Sequence, residues 1–486
     1  CTGITRIFIL AVVLYMLFPG IQTFAVDNVP YHTYNYDYWG DVYYTPAAYV
    51  PSGNYSGDEL GVGSFSNPQD IFAAQDGRIY VADTGNNRIV VIDRKLNSGT
   101  VIDGFVNQGT ADTFTTPSGV FVTEDNELYI ADTDNLRIVA LNSDGSLLRI
   151  LENPKSEVLG EDFVFAPLKV SVDYADRVYT VVKNMFQGIM AFDEKANFTG
   201  FTGTIKVNIS VYEKVWRYLS TKAQRERQIQ FIPTEFTNVD MAPDGFVYAT
   251  NFDPKGEQSV RRLNPKGQDI IKKREGQFLS GDEYWRIGRE YAGPSRIVDV
   301  VYRGSGIYSI LDTTRGRIFT YDHEGNLLYI FGGKGSQDGT FRNPTAIEVL
   351  DDRFLALDGH RGEIMVFTQT EYGSLINRAT ALRYDGDEAS AVQLWEQVLK
   401  LDSNFELAYS GIGKSLLAAG DNRKAMDYLK LGMDREYYSI AFKRYRDDLL
   451  KENLGVVLTL LVVAIAVLQV RKFVLKSRKK GAVTVE

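Results

Sequence analysis

The sequence predicts a mainly β protein: a six-bladed β-propeller, then a small all-α segment, then one transmembrane helix. Three observations lead there. A unit of about fifty residues recurs between residues 67 and 370. After Tyr372 the hydrophobic pattern becomes helical and repeats at a spacing of 34 residues. Leu454 to Val470 is apolar throughout, with nothing more polar than Thr459 and Gln469.

At the N-terminus, Arg6 precedes the apolar run Ile7 to Phe18, which Pro19-Gly20 breaks before the small residues around Ala25. That order is a secretory signal peptide over residues 1–25, with cleavage expected after Ala25. Twelve apolar residues are too few to cross a bilayer. Residues 26–66 open with a dense aromatic stretch: Tyr31, Tyr34, Tyr36, Tyr38, Trp39, Tyr43 and Tyr44. For these, glycan stacking and packing both stand. Ala47-Ala48-Tyr49-Val50 is expected to supply the outer strand that closes the last blade onto the first, because a propeller must seal its ring.

The repeat occupies residues 67–370. Pro68, Pro117, Pro167, Pro233, Pro294 and Pro344 mark six copies, separated by 49, 50, 66, 61 and 50 residues. Each copy alternates apolar and polar residues in short runs cut by Asp-Gly or Asn-Gly turns, the pattern of an antiparallel meander. Six such meanders close most economically as a propeller of four-stranded blades. An excursion at 205–232, with Tyr212, Trp216 and Tyr218 ahead of a charged run, reads as a helical insertion, either a docking lid or a solvated loop.

The segments Ala82-Asp83-Thr84-Gly85-Asn86-Asn87-Arg88-Ile89 and Ala131-Asp132-Thr133-Asp134-Asn135-Leu136-Arg137-Ile138 resemble the NHL repeat. The fifth copy keeps Asp312-Thr313 and Arg317-Ile318, and the sixth keeps Asp358 with Glu363 in place of Arg. The third departs at Lys183-Asn184, and the fourth carries Asn251. The resemblance implies a six-bladed propeller and leaves function open, since propellers host binding and catalysis alike. Asp83, Asp132, Asp312 and Asp358 are expected to be structural, each accepting N–H bonds from its own turn while Arg88, Arg137 or Arg317 returns to the carboxylate. A ligand site needs such a residue once, whereas this motif recurs blade by blade.

In residues 371–453, Ala379, Gly386-Asp387, Ala391 and Trp395 are followed 34 residues later by Gly413, Gly420-Asp421, Ala425 and Leu429. Small residues at these positions let paired helices pack closely, and Gly-Asp turns the chain. This resembles about two tetratricopeptide repeats, which implies a compact docking module or spacer. Residues 454–475 form the span, extended by Phe473-Val474-Leu475 if Arg471 and Lys472 snorkel. The tail, 476–486, continues a basic cluster that holds Arg471, Lys472, Lys476, Arg478, Lys479 and Lys480. The positive-inside rule places that tail in the cytoplasm and residues 26–453 outside.

With 53 Lys+Arg against 62 Asp+Glu, the chain of 486 residues carries a formal charge of −9, which disfavours a nucleic-acid partner. A single cysteine excludes an intrachain disulfide, and three scattered histidines disfavour a His-rich metal centre. An exported domain of this size without disulfides points to a bacterial cell surface. No cofactor is expected. The preferred reading is a membrane-anchored extracellular binding and scaffold protein for a protein or glycan ligand. The alternative comes from a resemblance to six-bladed lactonases of the gluconolactonase type, which implies a divalent metal held by acidic and Asn side chains; Glu235, Asn238, Asp240, Asn251 and Asp299 lie near blade starts where such ligands arise. The histidines of the blades, His323 and His360, follow Asp in turns and are expected to be exposed.

Overall fold

The computed structural model describes residues 29–160, 162–204, 234–253, 256, 258–273, 281–282 and 293–481. The expected signal peptide, the expected insertion at 205–232 with Pro233, and the last residues of the tail lie outside the described residues. The chain divides into two units, one of residues 1–36 and 40–377, the other of residues 37–39 and 378–486.

The first unit is the propeller. Blade 1 is the meander Asp70–Ala73, Ile79–Asp83, Arg88–Ile92 and Gly99–Ile102. Blade 2 runs Pro117–Val122, Leu128–Asp132, Arg137–Leu141 and Leu147–Leu151. Blade 3 runs Pro167–Val172, Val178–Val182, Ile189–Phe192 and Phe198–Thr202. Blade 4 shows three strands among the described residues: Phe236–Met241, Val247–Asn251 and Val260–Leu263. Blade 5 runs Ile297–Tyr302, Tyr308–Asp312, Arg317–Tyr321 and Leu327–Phe331. Blade 6 takes Pro344–Leu350, Arg353–Asp358 and Glu363–Gln369, and its fourth strand is Tyr49–Ser56 from the N-terminal side.

Second strands such as Ile79–Asp83, Leu128–Asp132 and Tyr308–Asp312 are buried at every position, because a neighbouring blade covers each of their faces. The core is accordingly a set of layers between blades. Val81 meets Leu355 and Ile364 between blades 6 and 1. Ile89 meets Val120 and Ile130 between blades 1 and 2, and Tyr129 meets Val170 and Val178 between blades 2 and 3. Val181 meets Val239 and Val247, and Tyr248 meets Val300 and Ile310, in the next two layers. Between blades 5 and 6 the layer is aromatic: Phe331 lies 5.1 Å from Phe354 and 5.2 Å from Phe367. Tyr49, on the closing strand, stacks on Phe331 at 5.0 Å and receives a hydrogen bond from Arg303 at its hydroxyl.

The aromatic stretch before that strand is fastened to blade 5. Asn35 Nδ2 donates to the carbonyls of Leu327 and Leu328. The Arg317 guanidinium bonds the Tyr34 hydroxyl and the buried Asp282, which also accepts from the Tyr36 hydroxyl.

The repeated turn carboxylates differ from expectation in two respects. Asp83 accepts the backbone N–H of Ser66 at 2.7 Å, and Asp132 that of Thr115 at 2.7 Å. Both donors lie seventeen residues upstream, on the approach to the blade, so the carboxylate ties that approach to the turn. The turns themselves contribute Asn86 and Arg88, and Asn135 and Arg137, to the other oxygen. Asp312 and Asp358 do accept N–H groups of their own turns, from Thr314 and from His360 and Arg361. Arg317 does not return to Asp312; Arg315 takes that place, since Asp282 and Tyr34 occupy Arg317. The threonine beside the aspartate reaches the following blade: Thr84 Oγ1 donates to the Pro117 carbonyl and Thr133 Oγ1 to that of Pro167, both at 2.7 Å.

The second unit is helical. Its helices are α1 (Glu371–Tyr384, from Arg378 on), α2 (Glu388–Leu401), α3 (Glu406–Ala418), α4 (Asn422–Leu431) and α5 (Arg435–Gly481). The 34-residue spacing recurs bond for bond. Asp387 N donates to Leu382 O, and Asp421 N to Leu416 O. Gly386 and Gly420 sit at φ 85° and 84°, the left-handed conformation that ends a helix cheaply only for glycine. Asp387 and Asp421 then cap the next helix, accepting from Ser390 N and Lys424 N. Ala379, Ala391 and Ala425 are fully buried. A Cβ on Gly413 would fall 2.6 Å from Leu429 Cγ, so the α3–α4 approach requires glycine there. Trp395 is buried within this unit against Phe405, 6.1 Å away, and Gly411.

Truncating either turn carboxylate leaves a backbone N–H without its acceptor and removes one partner of a half-buried arginine. Asp83→Ala and Asp132→Ala are each expected to destabilise the protein by about 1–3 kcal/mol. Chemical denaturation of the full chain checks this, and a variant as stable as the parent contradicts the role assigned to the turn.

Candidate functional site

The polar centre of the propeller is its channel, built by the first strand of each blade. The register is the same in all six. Asp70, Gly119, Lys169, Asn238, Asp299 and Ala346 each pair with the residue just before the turn position of the second strand. These six residues form one layer. Two residues further on, strand alternation brings Phe72, Phe121, Ser171, Asp240, Val301 and Glu348 to the same side as a second layer.

Four carboxylates and one ammonium thus meet inside the ring, and the backbone claims each acid. Asp70 accepts Val120 N at 2.8 Å and pairs with Lys169, whose Nζ also donates to Gln69 O. Asp240 accepts Tyr302 N at 2.7 Å, and Asp299 accepts Ile347 N at 2.6 Å. Glu348 accepts Ala73 N at 3.4 Å. In every case the donor belongs to the next blade round the ring. The bonds join blades 1 to 2, 4 to 5, 5 to 6 and 6 to 1, and Lys169 ties blade 3 across to blade 1.

Burial dominates the electrostatics. It pushes Asp299 up to about 8, against the Lys169 charge and the N–H bonds that pull it down. It pushes Asp240 up to about 7, and Glu348 rises well above the usual range, with Asp240 adding repulsion. Asp70 is also raised, burial outweighing its lysine partner. The cavity among these side chains is about 30 Å³, lined by Asp70, Asn238, Asp240, Asp299 and Glu348 with Phe72 and Phe121 among the apolar walls. That is room for about one water molecule and well under the several hundred Å³ an organic ligand needs.

Of the residues singled out as metal ligands, Asn238, Asp240 and Asp299 come together in the channel. Glu235 and Asn251 do not line the cavity. Asn251 occupies the turn position that is aspartate in other blades, with Nδ2 bonded to Gln258 O, and the Glu235 carbonyl accepts Phe252 N. The channel carboxylates point their oxygens at backbone N–H groups, and among the described residues no set of three or more His, Cys, Asp or Glu is arranged to hold a metal ion. The donor set does not fit a divalent centre. His360 is exposed as expected; His323 is half-buried, and neither lines the cavity.

Asp70, Lys169 and Glu348 are channel residues that sequence reasoning passed over. Asp70 and Lys169 stand two places after the repeat proline, as do Gly119 and Ala346, whereas Asn238 and Asp299 stand five places after theirs. That shift in offset hid the common layer.

The sequence profile of the NHL repeat matches residues 65–92, the entry into blade 1 and its first three strands. No curated protein matches the chain significantly. Among solved structures, a Bacteroides thetaiotaomicron structural-genomics protein of unknown function is similar, at 15% identity and TM-score 0.43, covering 65% of this chain and 73% of its own. Virginiamycin B lyase from Staphylococcus aureus gives 11% identity and TM-score 0.39, covering 69% of this chain and 87% of its own. A streptogramin B lyase gives 10% identity and TM-score 0.37, with coverage of 63% and 94%.

The raised channel acids set a pH dependence. An aspartate titrates near 3.8 when unfolded, so a folded value near 7 or 8 favours the protonated form in the native state. This contribution to stability is complete below the unfolded value and is lost as pH rises through about 7 for Asp240 and about 8 for Asp299. The full chain is therefore expected to lose several kcal/mol, on the order of 5, between pH 5.5 and 8.5 through these groups. Asp299→Asn should flatten the profile measured by urea titration at each pH, and an unchanged slope contradicts the assignment.

Proposed function

We propose that the chain is a membrane-anchored extracellular scaffold that presents a β-propeller and a tetratricopeptide-like docking module to a protein or glycan ligand. The observation that carries this reading is α5. Within the helical unit, one unbroken helix runs from packed turns around Ala441 into the span, where every side chain from Leu454 to Val470 is exposed. An all-round apolar helix of this length is stable where lipid covers it. The basic residues after Val470 favour a cytoplasmic C-terminus, hence a bulk exposed on the outer side of a bacterial cell membrane.

Two features support binding over catalysis. The channel acids serve as acceptors for neighbouring blades, and the cavity between them is of water size. The 34-residue helical spacing supports a docking role for the second unit, which two hairpins can fill only as a compact module. A neighbour in a membrane complex is the partner that this module suits.

Topology is the direct test. With a tag after Glu486, protease added to intact cells is expected to remove the propeller and spare the tag. A tag digested from outside reverses the orientation, and recovery of the intact chain in the soluble fraction overturns the anchored reading.

A further inference from the structure

The register of α5 on its own unit fixes where a membrane surface must lie. Helix α5 packs antiparallel to α4, burying Ala441 with Leu417, Ala425 and Leu429. Further along, Arg444 donates to the Leu417 carbonyl, and Asn422 Nδ2 donates to Asp448 Oδ2 at 2.7 Å. These bonds hold the turn between α3 and α4 at the level of Arg444–Asp448. Leu454 lies only six positions beyond Asp448 on uninterrupted helix, about 9 Å at 1.5 Å per residue. The polar layer on each side of a bilayer is about 5–8 Å thick.

Leu449 and Leu450 narrow the gap. They are 41% and 57% exposed, although they precede the apolar run, and they follow Asp448 directly. Leucines open to solvent at that level are covered if the bilayer interface begins there. The turn that shares their level offers matching chemistry, with Arg423 and Lys424 exposed beside Asn422, the buried first residue of α4. Lys424 pairs with Asp421 at 2.9 Å and keeps its side chain 71% exposed, so the pair sits at the surface of the turn.

We infer that the α3–α4 connection and the first turn of α4, residues 419–424, rest on the outer headgroup layer of the membrane, with Arg423 and Lys424 directed at lipid phosphates. The inference rests on α5 being a membrane span. The helical unit is then a membrane-apposed platform whose far end is the α2–α3 connection around Ser403, one length of α3 away. Thirteen residues of α3 make that about 20 Å.

The chain's one cysteine, Cys1, makes the test straightforward. In a Cys1→Ser background, Arg423→Cys, Ser403→Cys and Val463→Cys are labelled with a fluorophore, and the full chain is reconstituted in phosphatidylcholine vesicles. Quenching by headgroup spin-labelled lipid is expected to be several-fold stronger at residue 423 than at 403, while acyl-chain spin label quenches residue 463. Equal quenching at 423 and 403 with residue 463 embedded overturns the apposition and leaves the span intact. A label at 463 insensitive to acyl-chain quencher overturns the span and the apposition together.

Discussion

A propeller has no core that runs through it, so each blade buries its faces only against two neighbours. Everything in the first unit therefore depends on the ring being closed. The closing act is the pairing of Tyr49–Ser56 with Glu363–Gln369, strands from opposite ends of the repeat region. Such a long-range pairing carries a loop-closure cost that local contacts do not repay until the ring is complete. The aromatic layer around Tyr49, Phe331 and Phe354 concentrates apolar burial at that seam. Tyr49 is wholly buried, so the seam is as dry as any other interface between blades.

Closure also explains the two sets of buried carboxylates. A buried acid is costly unless its oxygens are satisfied, and a backbone N–H from a neighbouring segment satisfies them while fixing that segment in place. At the turns, Asp83 and Asp132 hold the approach to their own blade and keep an arginine partner. In the channel, Asp70, Asp240, Asp299 and Glu348 hold the next blade, and Lys169 pairs with Asp70. The turn set works within blades and the channel set works between them. Chemistry that a sequence reader associates with ligands is here spent on geometry.

Much of this was legible beforehand. The fifty-residue period gave six blades, because spacing and turn residues are local properties. The Asp–Arg pairing of the first two copies followed for the same reason. Partners set by the closed ring were not legible. The N–H donor to Asp83 lies seventeen residues upstream, and Arg317 left its expected carboxylate for Asp282 and the Tyr34 hydroxyl. Those choices arise only once the aromatic N-terminal stretch lies along blade 5, which no repeat pattern encodes. The channel layer was obscured by the two- and five-residue offsets from the proline, so Asp70 and Lys169 were not grouped with Asn238 and Asp299 until the strand register aligned them.

The helical unit follows a different logic, with consequences for its long apolar helix. Two hairpins leave the apolar face of α4 open, and α5 covers it: Ala441 completes the cluster of Leu417, Ala425 and Leu429. Asp434 caps that helix through Tyr437 N and binds Ser410 and Lys414 of α3, which fixes its start. No proline interrupts α5 before its end, so nothing relaxes the helix between the packed turns and the apolar run. The residues that complete the fold and the residues that suit a bilayer are therefore one rigid element. Removing the helix to obtain a soluble fragment would expose the α4 face, and retaining its first turns alone would leave Leu449 and Leu450 at a frayed end. In this unit, the packing that completes the fold and the long apolar run are carried by the same backbone.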